Sequence, residues 1–206
     1  MKATIVLAGG RSKRFGSNKA FIKLGDKPLL RHVVETSLRV VDEVVVAVGR
    51  DDGVAEYLKV LPRSVKVLKD TMESKSPLIG IITGMKGIRS EYTAVMSCDT
   101  PFVRAEVLKY LFGKAHGADA VVPRWPNGNI EPLHSIYEVS STLYAAEEAV
   151  KMKRYRILHM INRLGTVFYV PINEVRKLDR ELITFFNINT ANDLRTAKAM
   201  MGTLQT

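Results

Sequence analysis

Glycines and cations crowd one short stretch, LAGGRSKRFGSNK at residues 7–19: Gly9 and Gly10, then Arg11, Lys13 and Arg14, then Gly16 and Lys19. This composition suits the holding of polyphosphate. Glycine lets backbone N–H groups approach phosphate oxygens with no Cβ in the way, and flexible cations neutralise the charge. The spacing excludes two commoner phosphate loops. Gly16 is followed by Ser17 rather than lysine, so the pattern is not G-x-x-x-x-G-K-[ST]. Gly9 and Gly10 are adjacent, so it is not G-x-G-x-x-G. The competing reading is a solvated basic loop after an edge strand.

Two carboxylates follow. Asp99 comes after an apolar run at 93–97 and before Thr100-Pro101. A carboxylate at the end of a strand, beside a phosphate loop, suits Mg²⁺, which is commonly held by one or two carboxylates plus substrate phosphates. The same Asp-Thr-Pro would also serve to open a helix. Asp70 opens a polar loop at 70–76. It could accept hydrogen bonds from N1–H and N2–H₂ of guanine, or simply form a turn. Gly80, early in the next helix, permits close approach of a ribose or base, or is a tolerated glycine.

Farther on, FNINTAND places Asn187 and Asn189 at the end of a predicted strand, where alternation puts both on one face. Thr190 with Asp193 reads as a helix N-cap box with the shorter acid. Residues 149–173 hold no acid but carry Lys151, Lys153, Arg154, Arg156 and Arg163. Such a run is ordinarily a solvated helix face. The alternative is a seat for the anionic part of a second substrate. His32, His116, His134 and His159 lack metal-ligand spacing, and none reads as catalytic. Trp125, in the turn-rich PRWPNGN, either stacks on a flat ligand or covers the core.

These residues need a scaffold. Apolar runs at 3–7, 43–48, 65–68, 92–97 and 118–122 read as strands. Helical spacing covers 29–41, 54–61, 78–88 and 103–115, with Pro77 at the start of the third of these helices. Then 133–137, 140–151, 156–163, 166–170, 183–187 and 191–201 read as strand, helix, helix, strand, strand, helix. Strand–helix alternation predicts right-handed crossovers and a mainly parallel sheet with helices on both faces, a Rossmann-like three-layer α/β sandwich. Ligands in such sheets bind beyond the carboxyl ends of the strands, so the loops at 7–19, 70 and 98 share one edge.

A chain of 206 residues that is 46% hydrophobic suits one domain, 1–206, able to bury most of its apolar surface. Its net charge of +10 draws polyanions: nucleic acid, anionic membrane or phosphorylated small molecules. The lone Cys98 excludes an internal disulfide and a thiolate-rich zinc site, and fits a reducing cytoplasm. No apolar run approaches the ~18 residues that would span a membrane, and no signal-peptide pattern precedes the first strand.

Taken together, the motifs resemble the molybdenum cofactor guanylyltransferases, within the glycine-rich-loop nucleotidyltransferases. LAGGRSKRFGSNKAFIKLGDKPLL is similar to the family's opening loop, lysine and G-x-x-P-L segment. SPLIGIITGMK resembles its P-L-x-G helix, CDTPFV its C-D-x-P metal loop, EPLHSIY its later P-L strand, and FNINTANDL its N-x-N-T closing motif. The opening is shared by sugar-, cytidylyl- and guanylyltransferases, and CDTP with the NINT ending narrows it. The resemblance implies that Leu7, Ala8 and Gly9 contact the nucleotide and that Lys19 meets its phosphates. It puts Asp70 at the guanine nucleotide, and Asp99 on both the nucleotide and Mg²⁺. Gly10 and Gly80 are expected at the nucleotide as well. Family members often carry an asparagine soon after the second strand. Here Ala47, Val48 and Gly49 supply no such side chain.

The implied reaction joins GMP from GTP to the phosphate of a molybdenum- or tungsten-bearing pterin, with release of pyrophosphate. Asp99, Arg14 and Lys19 are the expected catalytic residues, with Mg²⁺ as cofactor. Asn187, Asn189 and Arg156 are expected at the acceptor. An accessory GTP-binding protein or an acceptor apo-enzyme is the candidate protein partner. Nucleic acid and membrane are not expected as partners. The nearest alternative is a cytidylyltransferase or another nucleotidyltransferase with a different phosphorylated acceptor. The alternative from another class is a non-catalytic basic nucleic-acid-binding module.

Overall fold

A computed structural model describes residues 1–9, 18–72 and 76–204. The elements in order are β1 (Lys2–Leu7), a 3₁₀ turn (Lys19–Phe21), β2 (Lys23–Leu24), β3 (Lys27–Pro28), α1 (Leu29–Leu38), β4 (Glu43–Val48), α2 (Val54–Val60), β5 (Lys66–Lys69), α3 (Pro77–Lys86), β6 (Tyr92–Ser97) and α4 (Ala105–Gly113). They continue with β7 (Ala120–Arg124), β8 (His134–Glu138), α5 (Val139–Lys151), α6 (Ile157–Ile161), β9 (Val167–Pro171), α7 (Ile172–Arg176), a 3₁₀ turn (Ile183–Phe185) and α8 (Ala191–Leu204).

Seven strands form one sheet in the order β5-β4-β1-β6-β8-β7-β9. The β1–β4, β1–β6, β4–β5 and β7–β9 pairs are parallel, and β8 runs antiparallel to both β6 and β7. Six strands therefore end at one edge and β8 begins there. Alternate residues of each strand serve opposite faces, as the two-residue period requires. Val6, Val46 and Met96 join α1, α4 and α7 in one core; Ile5, Val45 and Val95 join α3, α5 and α6 in the other. The expected three layers are present.

α3 lies closest to the sheet. Ser76 caps it through Leu78 N, and Pro77 opens it. A Cβ at Gly80 would stand 2.9 Å from Leu7 Cδ2, and one at Gly84 2.4 Å from Ile5 Cγ2. Each glycine costs the helix about 1 kcal/mol. Full burial of Leu78, Ile81 and Met85, at about 1.5–3 kcal/mol each, offsets that.

Three readings change. The predicted strand at 183–187 is instead a 3₁₀ turn, Ile183–Phe185, entered through Leu182 at φ 54°. Its β-branched and aromatic residues favour a strand, but buried Asp179 accepts from Thr184 N (2.8 Å) and curls the chain. The two-residue strands β2 and β3 flank Gly25, whose φ of 64° lets the chain reverse. α7 was not expected. α8 docks on that ribbon, with Ala197 and Ile188 packed on Leu24 and Leu29.

Candidate active site

Leu7 ends β1 at the carboxyl edge, and the chain there is fixed by β4. Ala8 N donates to Ala47 O (2.9 Å). Gly9 passes so near β4 that a Cβ would lie 2.6 Å from Gly49 N, which is the steric reason for glycine at this position. Gly49 N itself donates to Asp52 Oδ2 (2.8 Å), so the backbone at the end of β4 is already engaged. The Tyr57 hydroxyl lies 3.1 Å from Ala8 O and 3.2 Å from Asp52 Oδ2, and it accepts from Asn18 Nδ2 (2.6 Å). Burial pushes that phenol far above its ordinary range; Asn18 opposes the shift and the Asp52 charge adds to it. Ala8 and Asn18, on either side of the glycine-rich segment, thus share one anchor. Gly10, Arg11, Lys13, Arg14 and Gly16 lie outside the described residues.

Asn18 Oδ1 also caps the 3₁₀ turn at Ala20 N (3.0 Å), which sets the direction of Lys19. Lys19 Nζ reaches Asp99 Oδ2 at 3.0 Å and Asn189 Oδ1 at 2.6 Å. Ser97 Oγ donates to Asp99 Oδ1 (2.6 Å). Both Asp99 oxygens are therefore engaged, with the Lys19 and Asp99 side chains only 18% and 14% exposed. The Asp99 carbonyl accepts from Ile188 N (2.9 Å), which brings the NINT segment onto the strand end. Asp193 then holds Asn189 N and Thr190 N (2.9 and 2.8 Å), and Thr190 Oγ1 accepts from Asp193 N (3.2 Å), completing the expected cap box. The helix-cap reading of Asp99 does not hold, because α4 starts at Ala105 with Arg104 as its N-cap.

On the other side, Asp70 N donates to Val48 O (2.9 Å) at the end of β5. Its carboxyl is pushed up, first by burial and then by the Asp52 charge, against a hydrogen bond from Thr83. Oδ1 is shut off from solvent with no hydrogen-bond partner among the described residues. Gly80 is buried, and the space its missing Cβ leaves belongs to Leu7, so here it serves helix–sheet packing.

Asn187 and Asn189 do not share a strand face, since no strand forms there. Exposed Asn187 turns back to its own chain, with Nδ2 donating to Phe185 O (3.0 Å). Exposed Arg156 is the N-cap residue of α6. Ser76 Oγ donates to Tyr155 O (2.6 Å), which ties the basic stretch to the start of α3. Trp125 packs edge-on against Phe185 and helps cover the core, and it also lines a surface groove. Tyr57, Asn18 and Asp52 were missed; the only signal for Asp52 was the turn-forming GRDDG after β4.

Two buried groups lie close to the centre. Burial and the Asp99 charge push the Cys98 thiol far up, which disfavours its thiolate. His134 is wholly buried with neither ring nitrogen bonded among the described residues, and burial lowers it to about 4. Among the described residues no three His, Cys, Asp or Glu side chains gather as a metal cage. Asp99 nonetheless suits a hard cation that takes its remaining ligands from phosphates, and the Lys19 ammonium already sits on it as a counter-charge. No helix among the described residues is long and apolar enough to cross a membrane.

Known proteins resemble this chain over most of its length. Residues 4–165 match the MobA-like NTP transferase domain family. A curated relative from Methanosarcina mazei, named probable molybdenum cofactor guanylyltransferase, is 39% identical over 199 residues, 94% of this chain and 88% of its own. The crystal structure of molybdopterin-guanine dinucleotide biosynthesis protein A from Archaeoglobus fulgidus superposes with a TM-score of 0.83 at 32% identity, covering 98% of this chain and all of that one. The 2-C-methyl-D-erythritol 4-phosphate cytidylyltransferase of Thermus thermophilus has a TM-score of 0.70 at 17% identity, over 97% and 98% of the two chains, which is a likeness of fold.

Proposed function

The chain belongs to the MobA-like NTP transferase domain family, and from that premise we propose that it transfers GMP from GTP to the phosphate of the molybdenum (or tungsten) pterin cofactor, releasing pyrophosphate. The observation that carries the reading is the convergence of Lys19, Asp99 and Asn189 at the carboxyl edge beside the glycine-rich segment.

The acceptor phosphate oxygen attacks the α-phosphorus of GTP in line, and pyrophosphate leaves. A phosphate nucleophile is already ionised at pH 7, so no general base is required. Positioning and charge stabilisation supply the rate. Lys19, held by Asn189, meets the phosphates, and Arg14 adds charge at the departing pyrophosphate. Asp99 would hold Mg²⁺ together with the phosphates, which would supply Lewis-acid neutralisation of phosphoryl charge. Asp70 presents to the N–H edge of guanine the oxygen that has no partner among the described residues; Leu7, Ala8 and Gly9 face the nucleotide by backbone, and Gly10 is assigned to the nucleotide as well. Asn187 and Arg156 are assigned to the acceptor side. We place the reaction in the cytoplasm, consistent with the single reduced cysteine. The product must pass to an acceptor apo-enzyme, and an accessory GTP-binding protein fits the same step.

Calorimetry with GTP, CTP, ATP and UTP, each with Mg²⁺, followed by pyrophosphate release with the metal pterin, tests this. GTP should bind tightest and support release. Preference for CTP would make the chain a cytidylyltransferase.

A further inference from the structure

Beyond β8, away from Asp70, lies an open groove of about 810 Å³. Arg124, Trp125, Ile130, Glu131, Leu158 and Tyr169 line it. Its rim is internally braced. Trp125 N donates to Asn129 O (2.8 Å), Gly128 N to Trp125 O (2.9 Å) and Glu131 N to Pro123 O (3.0 Å). The Arg124 guanidinium stacks 4.9 Å over the Tyr169 ring. Trp125 Nε1 donates to Glu131 Oε1 at 2.7 Å. A carboxylate has about four acceptor positions, so Glu131 keeps capacity for a ligand. Burial raises its carboxyl, with Trp125 opposing, much as burial raises Asp70.

Asp99 is flanked on both sides along the sheet edge. Asp70 follows β5 on one side; Arg124 ends β7 on the other, two strands from β6 and about 10 Å away by strand spacing. Each flank offers a half-buried carboxylate, and this flank adds aromatic faces. The 2-amino-4-oxopyrimidine edge, with its N–H donors, occurs both in guanine and in pterins. Resting on the function proposed above, we infer that the Trp125–Glu131 groove seats the pterin ring system of the acceptor, with Glu131 accepting from its 2-amino-4-oxo edge and Trp125 and Tyr169 against its plane. Asp70 then reads the guanine of the nucleotide. The enzyme joins two heterocycles that share one edge by giving each its own carboxylate on opposite sides of the phosphates.

Trp125 is the only tryptophan in the chain, so its fluorescence reports on the surroundings of this one side chain. The probes are 6-hydroxymethylpterin, lumazine (an oxo group in place of the 2-amino group) and guanosine. The pterin should quench Trp125, and lumazine should bind about tenfold or more weakly, because a carbonyl then faces the carboxylate. Glu131→Gln, which keeps an acceptor for Trp125 Nε1, should remove that preference while GTP affinity stays at the wild-type value. Asp70→Asn should do the reverse. Tyr169→Ala, at an exposed position, should weaken the pterin roughly threefold or more without touching the Trp125 packing. No pterin-dependent quenching, a preference that survives in Glu131→Gln, or displacement of the pterin by guanosine would overturn the assignment. If wild type forms product and Glu131→Gln keeps the wild-type KM for the metal pterin, the groove assignment fails and the guanylyltransferase reading stands. If the fluorescence pattern holds but GTP yields no pyrophosphate, that reading fails and the groove stands.

Discussion

Asp99 and Asp70 close two strands of one sheet, yet the protein treats them in opposite ways. Around Asp99 the charge is met from within: Ser97 takes one oxygen and Lys19 the other. At Asp70 an oxygen is buried with no partner among the described residues, and its carboxyl is raised by that burial. A charge matched in advance stays in place until a cation and phosphates take over the roles that Lys19 and Asp99 fill for each other, which suits a reacting centre. A polar atom left short recovers its cost only when the right ligand donates to it, which suits discrimination. The centre is charge-balanced in advance and its flank is left incomplete.

The hardest test of this contrast is Asp99→Asn. It keeps the shape and removes the charge, so turnover should fall by ~10²-fold or more with the fold retained. Pyrophosphate release at the wild-type rate, with an unchanged circular dichroism spectrum, would move the chemistry elsewhere.

His134 lies close to the same centre, and neither of its ring nitrogens has a hydrogen-bond partner among the described residues. An unfolded chain takes up a proton below about 6.5, whereas the folded one does so only near 4. Stability should therefore fall as pH drops through that window, by about 3 kcal/mol at its lower end. Urea unfolding between pH 7 and 4 should lose this slope in His134→Leu. An identical slope in the variant would mean that other groups carry it.

Lys19→Ala should weaken GTP by about 10–100-fold and GMP by less, since the ammonium is assigned to the outer phosphates. Equal losses would put Lys19 at the α-phosphate or in a structural role.

Asp70→Asn inverts the expectation for a settled site. GTP affinity and the preference for GTP over ATP should both drop, yet the free protein should melt no lower at pH 7. The raised carboxyl penalises the folded state at neutral pH, a penalty that fades as pH falls towards the ordinary carboxylate value. A lower melting point with base choice intact would return Asp70 to the role of a turn former.

The smallest effect belongs to Arg156, which is exposed. Charge reversal should weaken acceptor binding by about tenfold at most and spare GTP, because surface charges are screened beyond ~8–10 Å. Loss of GTP binding instead would follow the Ser76–Tyr155 bond and assign the basic stretch to the nucleotide side.

The centre was more legible in the sequence than its supports. Apolar runs gave the six strands of parallel direction and β8 to within about two residues, because buried strands carry continuous hydrophobic stretches. Asp99, Lys19 and Asn189 could be singled out because charged or amide residues beside strand ends and glycines are chemically conspicuous. Tyr57 was not, since a tyrosine among helical apolar residues looks like core, and its bonds to Ala8 and Asn18 are purely tertiary. The ITFF run misled because local propensity favours a strand while Asp179, buried out of sequence sight, curls it. Gly80 reads either as allowing close approach of a ribose or base or as a tolerated glycine, and Leu7 takes up the space beside it.

Lys19 and Asn189 are 170 residues apart along the chain, yet their side chains touch. Contacts of such span are among the last that a folding chain can make, because a long loop must be closed before they yield anything. β1, β4 and β6 can pair long before residue 189 has left the ribosome. A chain at that stage has its sheet and its Asp99, but lacks the amide that fixes the lysine. Competence for phosphoryl chemistry is thereby made a property of the completed chain, and folding order withholds it from fragments.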